Sequence, residues 1–257
     1  MIVETGLVLL AATGFVAYVV RGITGAASAI LFNALFGLEL ALGLVGGLTL
    51  LDGLYWIAMG DMLASLTMLV FLRREIRLEP YVLRLLATSV PIAVVLALLL
   101  PRMDLEILTV GLGIVLLGSG LYLGRPRELR VWDTTTLRRR AVPFGVATGI
   151  LSGLYGMPGP VAVVYLAHGG PNPSVFRART TLVSSVWSSV RVVVLLASGA
   201  VGLDATIRFG VTIPVILAGL GLGAWLHPYF DARTFRLVLA TIVGVAGMAL
   251  LVDALWT

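Results

Sequence analysis

Two stretches decide how this chain folds: GFVAYVVRGITGAASA at Gly14–Ala29 and GVATGILSGLYGMPGP at Gly145–Pro160. Both are apolar, and both are interrupted. Pro158 and Pro160 cannot extend a helix from the preceding turn, because proline lacks the amide hydrogen and its ring clashes with the carbonyl four residues back. The region 141–168 therefore reads as two short helices with a break between them. Glycines puncture 3–38 in the same way.

The chain around them belongs in lipid. It has 257 residues, 59% hydrophobic and only 12% charged, with mean hydropathy +1.06. A soluble domain is roughly a quarter charged, and one of this size could not hide so much apolar surface from water. With no cysteine, disulfides, thiolate metal sites and cysteine nucleophiles are excluded. All 18 basic residues are arginine and the net charge is +5. In a membrane chain that excess reports orientation rather than nucleic-acid binding. The first segment does not read as a signal peptide: its early charge is Glu4, and no small-residue cleavage site precedes Arg21.

A crossing needs about 20 mostly apolar residues. The stretches 81–100, 105–124, 205–226 and 235–256 qualify, and 178–199 qualifies with Arg191 deep inside it. The stretch 40–72 is too long for one simple crossing. Arg73, Arg74, Arg77 and Arg84 cluster before one span, and Arg125, Arg127, Arg130, Arg138, Arg139 and Arg140 fill the connector 125–140. Both clusters belong on the cytoplasmic side. If 141–168 enters and returns to the same side, fourteen arginines are inside and two, Arg102 and Arg208, outside. A single crossing gives eleven against five. The returning hairpin is the better fit, and it places both termini outside a multi-pass protein of the inner membrane.

The two halves repeat. Gly14, Gly22, Gly25 and Thr49 recur 131 residues later as Gly145, Gly153, Gly156 and Thr180. Pro91 then matches Pro214, and Pro101 with Asp104 matches Pro228 with Asp231. The order is the same twice: a broken hairpin, then three spans. The fold predicted is an all-α polytopic membrane protein of two inverted-topology repeats. The first is 1–124 (hairpin 3–38, spans 40–72, 81–100 and 105–124). The arginine-rich connector 125–140 follows, and the second repeat is 141–257 (hairpin 141–168, spans 178–199, 205–226 and 235–256). Inverted repeats with discontinuous helices are a recurrent plan of secondary transporters, with substrate held near midplane.

On the segments Gly14–Ala29 and Gly145–Pro160, and on RARTTLVSS at Arg177–Ser185, the chain resembles the TauE/SafE sulfite exporter family. The likeness runs the length of the chain through the duplication. One departure is visible: family members usually carry a glycine pair after the first-half motif, where this chain has Ala26-Ala27-Ser28. The resemblance implies export or uptake of sulfite, a sulfonate or a related sulfur oxyanion.

Glycine before a half-helix lets backbone amides approach an anion, and the helix start carries partial positive charge. The expected substrate-binding set is Arg21, Gly22, Thr24, Gly25, Ala26 and Ser28 in the first half, and Tyr155, Gly156, Met157, Gly159 and Arg191 in the second. Thr49 and Thr180 join it as repeat-related positions. The competing reading is close helix packing through small residues, common in lipid. Ionisable groups inside a membrane cost ~2.5–3.5 kcal/mol on insertion scales and usually have a partner or a function. Asp52 is the expected proton-coupling carboxylate, against structural pairing with an arginine. Asp61 reads as paired with an arginine or snorkelling to an interface, a reading open to Arg21 as well. Asn33, Asn172, Ser184, Ser185 and Trp187 read as polar or amphipathic residues on or beside the bundle interior. His168 reads as a cap or a water-facing residue and His227 as a loop residue. Trp56, Trp225 and Trp256 read as interfacial aromatics.

Three function classes compete. A secondary transporter working by alternating access explains the duplication, the breaks and the buried charge together. A membrane-embedded enzyme needs a nucleophile–base or metal set, which two distant histidines without HExxH spacing do not supply. A non-transporting assembly subunit needs neither breaks nor intramembrane Arg and Asp. Within the transporter class, a carboxylate permease or an anion channel stays open. No metal or other cofactor, no nucleic acid and no nucleotide-binding loop is expected. The partners are a small sulfur oxyanion and the bilayer, and oligomeric state has no sequence marker.

Overall fold

Apolar runs of this length, with their backbone groups paired inside each segment, leave the α-helix as the economical way through lipid. The computed structural model describes residues 2–256 apart from 26, 46–47, 77, 126–130, 171, 200–202 and 227–231. Among the described residues there are ten α-helices and no strand. They are α1 Ile2–Thr24, α2 Ser28–Ala41, α3 Leu50–Phe71, α4 Pro80–Leu99 and α5 Leu105–Gly124 in the first half. The second half holds α6 Thr134–Tyr155, α7 Gly159–Ala167, α8 Pro173–Ala197, α9 Leu203–Leu226 and α10 Ala232–Trp256. Six stretches are long and apolar enough to cross a membrane: Gly6–Thr24, Leu50–Phe71, Pro80–Arg102, Leu105–Gly124, Val175–Ala197 and Phe209–Leu226. Expectations placed on Ala26, Arg77, Arg127, Arg130, His227, Pro228 and Asp231 lie outside the described residues. So do the side chains of Glu4, Arg208, Arg233, Arg236, Asp253 and Trp256.

Local chemistry explains where the helices start. Asp133 caps α6: its carboxylate accepts from the amides of Thr135 and Thr136 at 3.0 and 3.1 Å. That cap begins α6 seven residues before the expected start of the hairpin at 141, so Arg138, Arg139 and Arg140 ride on the helix rather than in a connector. Asp104 caps α5 through the Glu106 amide at 2.8 Å. The Asn172 side chain accepts from the Val175 amide at 3.3 Å, and α8 then opens on Pro173, five residues ahead of the expected span. The stretch 40–72 resolves into the end of α2, a connecting segment and α3.

Two compact units form, and neither is one half of the sequence. One gathers α1, α2, the start of α3 through Ile57, α5, α9 and α10; the other gathers the rest of α3, α4, α6, α7 and α8. In the first, α1 packs on α9 and α5 on α10; in the second, α4 packs on α6. The first helix of each half thus lies on the fourth helix of the other. Pro91 and Pro214, matched in the duplication, fall inside these fourth helices.

Close approach needs small residues. Gly145, Gly149 and Gly153 form one stripe of α6 against α4, where a β-carbon on Gly149 would sit 2.7 Å from the Ser89 carbonyl oxygen. On the first unit's side, a β-carbon on Gly22 would sit 2.7 Å from the Ala224 nitrogen of α9. Without a hydrophobic drive between helices in lipid, such packing is a main source of their attraction.

Aromatics fill each core. In the first unit Trp56 stacks on Phe32, with ring centres 4.9 Å apart, and Phe209 meets its edge. Trp56 is buried, which corrects the interfacial reading: the aromatic ring is wanted in the core because Gly14 leaves room for it there. In the second unit the Trp187 indole donates to Ser89 Oγ at 2.8 Å and the Tyr165 hydroxyl to the Leu137 carbonyl at 2.8 Å. Outward positions carry bare apolar side chains, such as Phe71 (79% exposed) and Val211 (68%), as a lipid-facing surface requires.

Candidate functional site: two interrupted helices

Each unit contains one helix break, and each break has one buried arginine.

In the first unit α1 ends at Thr24. Gly25 follows with φ +77° and Ala27, the residue before α2, with φ +74°. That left-handed backbone is ordinary for glycine and unusual for alanine. The Gly25 amide returns to the Arg21 carbonyl at 2.6 Å, closing α1. No side chain caps α2 at Ala27, so the helix starts with backbone donors and partial positive charge. Arg21, 2% exposed, reaches across the break and donates from Nη1 to Ser28 Oγ at 2.8 Å. Two expected ligands therefore meet, and a full cation lies beside the start of the half-helix. Thr24 donates instead to the Val20 carbonyl of its own helix at 2.8 Å. Gly22 faces α9.

In the second unit α6 ends at Tyr155, which is buried. Gly156 has φ +65°, and the amides of Gly156 and Met157 return to the carbonyls of Ser152 and Leu151 at 3.1 and 3.2 Å. Met157 is buried, Pro158 precedes α7, and Gly159 with Pro160 opens it. Arg191 arrives from α8, 3% exposed. It donates to the Ser152 carbonyl, to Gly153 at 3.0 Å and to Leu154 at 3.1 Å. These are carbonyls an α-helix leaves unsatisfied at its end, where a cation also suits the dipole. Its Nε is buried without a hydrogen-bond partner. A β-carbon on Gly156 would lie 3.4 Å from Nη1, so glycine there serves both the backbone turn and the arginine.

Other expected residues act locally. Thr49 and Asp52 form a capping box at the start of α3: the carboxylate accepts from the Thr49 amide and hydroxyl, both at 2.7 Å, and the Asp52 amide reaches Thr49 Oγ1 at 3.4 Å. Thr180, its repeat partner, lies well inside α8 and donates to the carbonyls of Phe176 and Arg177, both at 3.0 Å. The same sequence match thus marks a helix start in one half and a helix interior in the other.

Sequence reasoning missed three arrangements. Arg179 pairs with Glu79 at 2.6 Å and also holds the Gly169 carbonyl at 3.2 Å. Trp132 lies flat on His168, with ring centres 3.7 Å apart, and the Arg140 guanidinium sits 4.3 Å from the indole centre. Glu39 of α2 accepts from the Thr13 hydroxyl of α1. Glu39 fell between a hairpin ending at 38 and a span beginning at 40, so its position read as a joint rather than helix interior.

Comparison with known proteins supplies the remaining findings. The sequence model of the family described as "Sulfite exporter TauE/SafE" matches residues 10–250. The "Probable sulfite/organosulfonate exporter TauE" of Cupriavidus necator is 28% identical over 112 residues, which is 43% of this chain and 43% of that protein. The chain therefore spans less than half the length of the curated relative it matches. No solved structure matches.

Proposed function

This multi-pass membrane protein belongs to the sulfite exporter TauE/SafE family, and from that premise we propose that it carries sulfite or a related small sulfur oxyanion or organosulfonate across the inner membrane. The observation that carries the reading is the pairing of each helix break with a buried arginine. A helix start without a side-chain cap, next to a cation, suits an anion that must shed water. In the first unit the ligands are Arg21, Ser28 and the opening amides of α2. In the second they are Arg191, Tyr155 and the Gly159 amide that opens α7. Arg191 is the better-defined of the two cations: its three carbonyl acceptors aim it at the break, and Nε is left over for a ligand.

Transport proceeds by alternating access, with the two halves in inverted topology, both termini outside and the arginine-rich segment 125–140 in the cytoplasm. The relative's name says sulfite or organosulfonate, and the geometry suits that class: a compact anionic head can accept a guanidinium and helix-opening amides together.

Thermal-shift measurements on purified protein with sulfite, thiosulfate, sulfoacetate, sulfate and acetate test the reading. A ligand present at 100 times its dissociation constant stabilises by about 2.7 kcal/mol, a readily measured shift. The expected result is stabilisation by one or more of the first three, lost in Arg191→Ala and reduced in Arg21→Ala. Stabilisation by acetate alone would move the reading to a carboxylate permease. No response to any anion, together with no flux in vesicles, would end it.

A further inference from the structure

Most of the described carboxylates in or at the ends of the apolar helices have an evident engagement. Asp52 closes its capping box. Asp61 is buried with contacts of its own. Glu79 pairs with Arg179. Beyond the paired Glu79, Oε2 of Glu75 and Oε2 of Glu39 are closed off without a hydrogen-bond partner; of these two only Glu39, itself half-buried, stands within a helix. Its Oε1 accepts one hydrogen bond, from the neutral hydroxyl of buried Thr13, while Oε2 is closed off from the surface and has no hydrogen-bond partner.

Nothing described nearby offers it a countercharge. Helix α2 carries no other charged side chain and packs on α1, on α10 and, through Phe32 and Phe36, on the start of α3. The titratable groups at that start are Asp52, held in its capping box, and Tyr55, whose hydroxyl pairs with Thr206 at 3.0 Å. On α1 the described titratable groups are Tyr18, whose ring lies beside Trp56, and Arg21, which is bonded at the break to Ser28. The remaining charged residues of α1 and α10, Glu4 on the first and Arg233, Arg236 and Asp253 on the second, have side chains outside the described set. A carboxylate without a cation in an apolar setting is costly to keep ionised, and one hydroxyl donor does not offset that. A proton on Oε2 removes the charge.

Position gives the proton a use. Thr13 stands eleven residues before the end of α1, and Glu39 eleven residues after the start of α2. At 1.5 Å per residue the carboxyl lies about 16 Å from the break, at the other end of the same short helix. Helix α2 therefore has the arginine-bound serine at one end and the carboxyl at the other. A shift of α2 along α1 on anion binding would make or break the Thr13–Glu39 bond. We infer that Glu39 is the proton-binding residue that couples anion movement to the proton gradient: Oε2 takes a proton from water in one state of the cycle and returns it to water in the other. This rests on the transport reading above, and the test separates the two.

Vesicles reconstituted with the full chain would be assayed for labelled sulfite flux with and without a proton gradient, for wild type, Glu39→Gln, Glu39→Asp and Asp52→Asn. Comparing each variant with wild type at the same pH cancels sulfite's own titration. Expected is a flux response to the gradient in wild type, Glu39→Asp and Asp52→Asn, and its loss in Glu39→Gln. A Glu39→Gln protein that keeps the response, or a wild type that moves sulfite indifferently to the gradient, overturns the proposal. Infrared difference spectra between acid and neutral pH read the group without any flux. A protonated-carboxyl band present in wild type and missing from Glu39→Gln supports the assignment, and identical bands overturn it. Wild type that shows the band yet moves no sulfur oxyanion sinks the transport reading while leaving the proton site in place.

Discussion

Gly156 is the residue on which the second break turns. Its backbone is left-handed, φ +65°, and the Arg191 guanidinium lies against the face where a side chain would begin. An L-residue in that conformation costs roughly 1–2 kcal/mol. Gly156→Ala is therefore expected to lower stability by about that amount and to weaken anion binding as Arg191 is displaced. Thermal melts with and without sulfite would check it, and unchanged affinity would mean Arg191 does not serve the anion. The two buried arginines at the breaks were legible as single letters in an apolar run. Their different attachments were not: Arg21 bonds a side chain seven residues on, whereas Arg191 bonds carbonyls 37 to 39 residues away. Distance along the chain hides the second kind of contact from any local pattern. Asp52 teaches the same point from the other direction. An acid in an apolar stretch read as functional, and the structure adds what the single letter does not show, that the threonine three residues earlier holds it in a capping box.

At the scale of the element, α6 shows how a helix of this fold is started, packed and stopped. Asp133 starts it, with the Thr136 hydroxyl and the Thr135 and Thr136 amides holding its carboxyl below the usual aspartate range. The sign follows directly. A group whose folded value is depressed stabilises above its unfolded value and loses that contribution as pH falls through the folded one. Helix α6 is thus expected to loosen on acidification below about pH 4, and Asp133→Asn should flatten that acid limb in thermal melts across pH. The stripe Gly145, Gly149 and Gly153 packs the helix on α4. Gly149→Leu should destabilise by about 1–3 kcal/mol through overpacking, whereas leucine at Gly118, with open space around it, should be near neutral. Equal losses at the two glycines would contradict the packing account. Glycine spacing alone left two uses open, close approach and anion contact. The structure shows close approach at Gly153, which packs on α4, and three residues later a turn of the chain at Gly156 beside Arg191, where anion contact is the proposal made above.

For the whole molecule, orientation is the expectation most open to direct measurement. The natural chain has no cysteine, so single cysteines placed at exposed arginines report on their own side. Arg138→Cys should react with an impermeant thiol reagent from the cytoplasmic face, and Arg102→Cys from the outer face. The reverse pattern would invert the proposed topology, and labelling of both from one side would break it. The helix pairings bear on the duplication as well. First helices lie on fourth helices of the opposite half, so neither half forms its own compact unit. No reading of spans in order could find this, because it depends on which apolar faces meet, and in lipid nearly every face is apolar.

What the amino-acid sequence determined by itself is the solvent and the segmentation. Composition demanded lipid, apolar length demanded helices, and proline and glycine marked where the helix had to stop; each of these is a local property of the chain. Tertiary structure decided the partners: which arginine meets which helix end, which glycines carry packing and which carry a turn, and what each buried carboxylate oxygen finds beside it. Those outcomes depend on side chains brought together from distant positions, and the energy of a buried charge is set by what surrounds it in space rather than by its neighbours along the chain.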